Sequence, residues 1–137
     1  MTRIEAAPGG TLVLDSESLA RAVLRDREVT TWLALARADD LRVVTSAAAL
    51  VEVTHPRVNR AALERTLSRL VVEPVTEAVA RRAAALLAEN GLHGHKYASA
   101  AMVAATALAA PGPVTVLTSD PDDLVVLCGG RAAVIEV

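Results

Sequence analysis

Aromatic residues are almost absent from this sequence of 137 residues, which holds one Trp, one Tyr and no Phe. A platform that stacks single-stranded nucleic acid bases needs several aromatic faces, so that class of binding protein is disfavoured. The core must instead be aliphatic, and hydrophobic residues make up 53% of the chain. Charged residues contribute an ordinary 22%, and this balance excludes an intrinsically disordered chain.

Cysteine is equally scarce, because Cys128 is the only one. The chain can therefore form neither an internal disulfide nor a zinc knuckle, which fits a reducing compartment. Residues 1–10 contain no apolar run of signal-peptide length, so we expect a flexible N-terminal tail and no export. The longest uncharged stretch, residues 97–119, is interrupted by Pro111 and Pro113 and predicts a buried helix followed by a strand, not a membrane span. We expect a soluble, cytoplasmic protein.

A net positive charge is also missing, since the formal net charge is −2. The chain as a whole therefore exerts no electrostatic attraction on nucleic acid. Of its 14 basic residues, Lys96 is the only lysine and the others are arginines. Arginine is the better bidentate clamp for phosphate, but an arginine bias also follows from GC-rich coding, and we favour the compositional explanation.

Short aliphatic runs alternate with helical patterns along the whole chain. Strands separated by helices require parallel crossovers, so residues 11–137 are predicted to form a single three-layer α/β/α domain with a mostly parallel sheet of about five strands. Residues 17–38 are predicted as helix with one break, and residues 96–109 as an Ala-rich helix. Helix starts are indicated by capping residues at Ser16, Ser46, Asn59, Thr76 and Asp120. The predicted strands are residues 11–14, 41–44, 70–73, 114–117 and 133–137.

Three acidic residues stand out, because ligands of parallel sheets bind beyond the carboxyl ends of the strands. Asp15 follows the first strand and Asp120 follows the fourth. Glu52 is the only charge in the apolar run 47–53, on the helix after the second strand. Each residue also has a simple structural explanation. Asp120 before Pro121 is typical of a helix cap, while Asp15 suits a turn and Glu52 an exposed point on a helix. Their joint placement favours a convergent carboxylate pocket.

Clustered carboxylates repel one another, so a pocket of this kind needs a hard divalent cation. Ligands that are all oxygen atoms select Mg²⁺ or Mn²⁺ over zinc. Such ions activate a water molecule and stabilise charge on a reacting phosphodiester.

Four ordered segments resemble the PIN domain, and more narrowly the VapC-type toxins of bacterial toxin–antitoxin pairs. They are residues 12–16 (LVLDS), 48–53 (AALVEV), 102–108 (MVAATAL) and 117–124 (LTSDPDDL). The resemblance covers nearly the whole chain and implies a Mg²⁺- or Mn²⁺-dependent endoribonuclease with four acidic positions around the metal. Asp15, Glu52 and Asp120 match three of these positions, and Asp123 matches an additional acid of some members. It also implies an RNA substrate, a small cognate antitoxin that masks the site with an apolar helix and a basic residue, and a homodimer.

The chain departs from this family at Ala100, where the resemblance implies the third acid. Ser99 is one residue out of register, so we expect it to point elsewhere on the helix. No Asp or Glu occurs between Glu89 and Asp120, so nothing nearby replaces the missing carboxylate. We expect the nuclease to be impaired or inactive. Either Ala100 is natural, or it replaces an aspartate to make a toxic nuclease tolerable, which is the explanation we favour.

Two other features near this position have alternative interpretations. Lys96 lies one helical turn before Ala100 on the same face and could contact substrate phosphate, although a solvated lysine at the helix start is favoured. His93 and His95 flank Gly94 and are interpreted as a loop before the helix, not as metal ligands.

Two other functional classes compete with the ribonuclease. The first is a PIN fold without nuclease activity that serves as an RNA- or protein-binding regulatory module, which Ala100 favours if it is natural. The second is a receiver-type signalling domain, which needs an aspartate after the third strand and a lysine after the fifth. Glu73 and Pro74 stand at the end of the third strand here, and no lysine stands at the end of the fifth. The receiver interpretation is therefore disfavoured.

Overall fold

The computed structural model describes residues 10–137, which form five strands and seven helices in alternation. The strands are β1 Thr11–Leu14, β2 Arg42–Ser46, β3 Val71–Glu73, β4 Val114–Thr118 and β5 Ala133–Glu136. The helices are α1 Ser16–Val23, α2 Arg27–Ala38, α3 Ala47–Val53, α4 Arg60–Leu67, α5 Glu77–Glu89, α6 Gly94–Ala109 and α7 Pro121–Cys128. The predicted tail lies outside the described residues except for Gly10, whose carbonyl accepts a hydrogen bond from the Arg42 amide at 2.9 Å.

The sheet has the strand order β3-β2-β1-β4-β5, and all four neighbouring pairs are parallel. The chain builds outward from β1 to one edge, then returns to place β4 on the other side of β1. The strand order therefore reverses between β1 and β4, which makes the carboxyl ends of these two strands the topological switch point. The predicted α/β class is confirmed.

Side chains of the central strands alternate between the two faces of the sheet, as the period of two in a strand requires. One face packs against α5, α6 and α7 through Val13, Val44 and Val116. The opposite face packs against α1 to α4 through Leu12, Leu14 and Leu117. All six side chains are fully buried. Two aliphatic cores thus flank one sheet, which is the three-layer arrangement that the sequence predicts.

Helix α6 shows how a core without large aromatic residues is filled. Its buried positions include Ala101, Ala104, Ala105 and Ala107, whose small side chains let the helix lie close to its neighbours. In the part of the chain that the structure describes, no helix has both the length and the apolarity needed to cross a bilayer.

Two predicted helix starts differ from the structure. Ser16 is the first residue of α1, and the cap is Asp15, whose Oδ1 accepts a hydrogen bond from the Ser18 amide at 2.9 Å. Helix α6 begins at Gly94, two residues before the predicted start, so the interpretation of His95 as a loop residue is wrong. The capping position of α6 is His93, whose side chain makes no capping hydrogen bond, and this start therefore carries none of the usual sequence signals.

The predicted break in the first helical segment lies between α1 and α2. Arg25 has a left-handed backbone with φ of 58°, which stops α1 and turns the chain. Asp26 then caps α2 by accepting a hydrogen bond from the Val29 amide at 3.0 Å. Its carboxylate also forms an ion pair with Arg21 at 2.9 Å, which joins the two helices across the break.

Candidate functional site

Asp15 lies at the switch point, directly after β1. Its amide donates a hydrogen bond to the Leu117 carbonyl of β4 at 3.3 Å, so the ends of β1 and β4 hold its backbone in place. The Ser18 hydroxyl donates to the same carbonyl at 2.7 Å. The Asp15 side chain is half-buried and one of its oxygens caps α1. Asp15 is thus a capping residue, but capping occupies only part of the hydrogen-bonding capacity of a carboxylate.

Asp120 is at the same edge, after β4 and before Pro121 of α7. It occupies the capping position, yet its side chain makes no capping hydrogen bond. Its amide donates to the Thr118 hydroxyl at 3.0 Å, which fixes the backbone without engaging the carboxylate. The capping interpretation therefore fails for the Asp120 side chain. Within residues 10–137 this exposed carboxylate has neither a hydrogen bond nor an ion pair. Asp123 lies in the first turn of α7 and is half-buried.

Glu52 approaches the same edge from α3. The Ser46 hydroxyl at the end of β2 caps this helix by accepting a hydrogen bond from the Ala48 amide at 3.1 Å. Glu52 is exposed, and its Oε2 accepts a hydrogen bond from the Ser99 hydroxyl of α6 at 3.0 Å. This bond links the helix layer of α3 to the helix layer of α6 at the edge of the sheet.

The expectation that Ser99 points away from the site is wrong, because its hydroxyl contacts the Glu52 carboxylate. One sequence signal could have indicated this contact, since Ser99 is a polar residue in an Ala-rich helix segment. The sequence does not give the rotation of α6 relative to α3, however, and this rotation decides which α6 side chain faces Glu52. Ala100 is half-buried and packs against the core on the α6 face of the sheet. The methyl group of Ala100 offers no ligand atom.

The acids do not form a complete metal site in this chain. Among residues 10–137, no group of three or more His, Cys, Asp or Glu side chains lies close enough together to hold an ion. Four acidic positions are implied by the resemblance, and the chain carries an alanine at one of them. The residues present therefore do not fit the divalent cation that the resemblance implies.

Lys96 is in the first turn of α6, and its Nζ lies 5.2 Å from the centroid of the Tyr97 ring. Both groups belong to the same helix, so the contact is a local cation–π interaction. The Lys96 side chain is exposed, and a role at the site stays a prediction.

An all-parallel sheet of this order, with acidic residues after β1 and β4, agrees with the fold that the sequence resemblance implies. Comparison with solved structures points to the same fold. VapBC2 from Rickettsia felis, solved bound to a DNA fragment from its promoter, matches with a TM-score of 0.68 and 16% identity over 93% of this chain and 98% of that chain. A toxin–antitoxin complex from Klebsiella pneumoniae matches with a TM-score of 0.66 and 20% identity over 92% and 99% of the two chains. FitAcB from Neisseria gonorrhoeae matches with a TM-score of 0.60 and 21% identity over 91% of this chain and 96% of that chain.

These matches confirm the predicted resemblance at the level of the fold: the chain shares the fold of these three solved structures. At identities of 16% to 21% the likeness is one of fold. Neither a protein-family model nor a curated protein matches the sequence at a significant level.

Proposed function

We propose that this chain is the toxin of a toxin–antitoxin pair, built on the scaffold of a divalent-metal-dependent endoribonuclease and impaired or inactive because Ala100 replaces one acid. The observation that carries the proposal is the placement of Asp15 and Asp120 after the two strands of the switch point. This placement occurs on a fold shared, over almost the full length, with VapBC2 and with a protein solved as a toxin–antitoxin complex.

The roles of the acids follow from their positions. Asp15, Glu52 and Asp120 are the proposed catalytic and metal-binding carboxylates, with Asp123 as a further metal ligand. An aspartate at position 100 would stand next to Ser99, whose hydroxyl already reaches Glu52 at 3.0 Å. We propose that its carboxylate faces Glu52 from α6, as the resemblance implies for this position. Mg²⁺ or Mn²⁺ is the cation proposed for the completed set, since both prefer oxygen ligands.

The partners belong to the same proposal. RNA is the proposed substrate, a small antitoxin is the proposed protein partner, and the chain is proposed to work as a homodimer in the cytoplasm. The likeness to a solved toxin–antitoxin complex supports the antitoxin.

The test compares this chain with its Ala100→Asp variant in two assays, Mn²⁺ binding by titration calorimetry and cleavage of a structured RNA. We expect the variant to bind Mn²⁺ and to cut, while the unchanged chain does neither or does both weakly. Ala98→Asp is the matched control. It adds the same charge two residues earlier on α6, at an exposed position that a helix turns about 200° away. Activity in this control equal to that of Ala100→Asp would reject the proposed ligand position.

The second candidate is a PIN fold that binds RNA or protein without cutting. The Ser99–Glu52 hydrogen bond favours it, because it gives Glu52 a partner within the chain and so a structural role. The same pair of assays separates the two candidates. If Ala100→Asp neither binds Mn²⁺ nor cuts any of several RNAs, the acids are structural and the binding module is the better account.

A further inference from the structure

A second concave surface lies far from the carboxylates, and we call it the arginine cavity. It has a volume of about 780 Å³, and its lining includes Leu41 before β2 and Leu70 before β3. The cavity is therefore at the amino ends of the strands. Helix α1 begins after Asp15 and ends at the cavity, so about 12 Å of helix separates the cavity from the carboxylates. Pockets that bind small organic ligands have volumes of roughly 300–1,000 Å³, and this cavity falls within that range.

The described residues that line the cavity carry a positive charge. Five of them are arginines and one, Asp40, is an acid, which leaves four net positive charges on a chain whose overall charge is −2. All five arginines are exposed, and within residues 10–137 none of them forms an ion pair. They are Arg25, Arg27, Arg37, Arg65 and Arg69. Guanidinium groups gathered without counter-charges favour an anion, and their planar forks match the oxygens of phosphate.

The stability of the helices does not explain all of these arginines. Arg37 and Arg65 are in the last turns of α2 and α4, where a cation interacts favourably with the helix dipole. Arg27, in contrast, is the first residue of α2, at the end where a cation is unfavourable. Arg69 lies four residues after Arg65, and like charges about one helical turn apart repel each other. A bound anion would offset both of these unfavourable placements.

The rest of the lining is largely apolar. Val23 and Leu41 are buried in the wall of the cavity, and Leu33, Val43 and Leu70 are half-buried there. An apolar wall that carries a few charged groups is typical of pockets for small organic ligands. A bare phosphate chain would contact the arginines and leave this aliphatic surface in water. The lining therefore favours an anion that is attached to a less polar body.

We infer that the arginine cavity binds a nucleoside di- or triphosphate, with the linked phosphates on the arginines and the sugar and base against the apolar wall. Two or three adjacent phosphates concentrate the negative charge that the arginines can balance. A single strand of nucleic acid is a poorer match, because its phosphates are separated by sugars and no described residue of the lining is aromatic and able to stack its bases. The inference goes beyond the proposed function and does not rest on it, since none of the four candidate acids lines the cavity.

The test is titration calorimetry of the full chain with ATP and, separately, with GTP. EDTA is present throughout, so that no divalent cation can attach a nucleotide to the carboxylates. Inorganic tripolyphosphate supplies the phosphates without the body, and adenosine supplies the body without the phosphates. We expect at least one nucleotide to bind at one site per chain, about threefold or more tightly than tripolyphosphate, because it also covers the apolar wall. Adenosine should not bind measurably, and added salt should weaken nucleotide binding.

Paired variants locate the binding. Arg65→Gln/Arg69→Gln should weaken nucleotide binding by about tenfold or more, because it removes two charge-assisted contacts to phosphate. Arg57→Gln/Arg60→Gln is the matched control, since it neutralises two exposed arginines outside the cavity and should leave binding within about twofold. Asp120→Asn should also leave nucleotide binding unchanged. Failure of the nuclease proposal and failure of this inference can accordingly be told apart.

Four results would overturn the inference: no binding of either nucleotide, equal affinity for nucleotides and tripolyphosphate, equal losses in the two double variants, or loss of binding in Asp120→Asn. The second result would assign the arginines to inorganic oligophosphate, and the fourth would place the nucleotide at the carboxylates. Circular dichroism checks that each variant folds. If the Arg65→Gln/Arg69→Gln variant does not fold, Arg25→Gln/Arg27→Gln at the junction of α1 and α2 carries the same test.

Discussion

The Ala100→Asp substitution should lower the stability of the metal-free chain, and this effect can be measured without an enzymatic assay. Ala100 is half-buried on α6, next to the residue that hydrogen-bonds Glu52. If the proposed site places this carboxylate on the order of 6 Å from Glu52, the two repel by about 1 kcal/mol at an effective dielectric constant of about 60, and by about 3 kcal/mol at about 20. Glu52 is exposed, so the lower figure applies. For a chain of 137 residues, this corresponds to a Tm lower by about 3–4 °C.

A bound cation reverses the sign of this effect, because the acids that repel each other become its ligands. A ligand that binds only the folded state stabilises it by about 2.7 kcal/mol at a concentration of about 100 times its Kd. We therefore expect Mn²⁺ to raise the Tm of the variant by about 9 °C above that of its metal-free form. The unchanged chain should move by no more than about 2 °C, since it lacks the fourth acid.

The assay is differential scanning calorimetry of both chains, with EDTA and then with Mn²⁺, and with Ca²⁺ as a second cation. Ala98→Asp supplies the control for added charge, and it should show neither the metal-free loss nor the Mn²⁺-dependent gain. Equal responses of the unchanged chain and the Ala100→Asp variant to Mn²⁺ would refute the reasoning. That result would mean that position 100 does not face the other acids.

Three further predictions concern single contacts. Ser99→Ala removes the hydrogen bond to Glu52, and urea unfolding should show a loss of about 1 kcal/mol that Ser99→Thr restores in part; no loss would mean that the bond is absent in solution. A backbone amide of α2, and after it an arginine, hold the pKa of Asp26 below its usual range. The stabilisation by this carboxylate is therefore complete above the unfolded pKa and is lost as the pH falls through the lower folded pKa. Asp26→Asn should flatten the pH dependence of stability below about pH 4, and an unchanged slope would contradict this. Leu86→Ala leaves a cavity at a side chain that is 1% exposed and should cost about 2–5 kcal/mol. Leu24→Ala, at 80% exposure, should cost less than about 0.5 kcal/mol, and equal losses would contradict the packing described.

The fold class followed from the sequence because the signals for it are local. Alternating strand and helix patterns require parallel crossovers, and capping residues such as Ser46, Asn59 and Thr76 marked helix starts that the structure confirms. The same reasoning missed the start of α6, because His93 supplies no capping hydrogen bond. It also assigned the first cap to Ser16, since a serine and an aspartate side by side offer equivalent capping groups and only the backbone geometry selects Asp15.

The sequence could predict the part of the candidate site that depends only on the order of strands and helices along the chain. Asp15 and Asp120 could be placed at one edge, because each directly follows a strand and parallel strands end together. The sequence by itself thus determined the fold class and the placement of Asp15 and Asp120 at the switch point. Only the tertiary structure decided that Ser99 faces Glu52 and that five arginines from three separate segments line one cavity between α1, α2 and α4. The physical reason is that contacts between elements depend on helix register and packing, which no local pattern encodes.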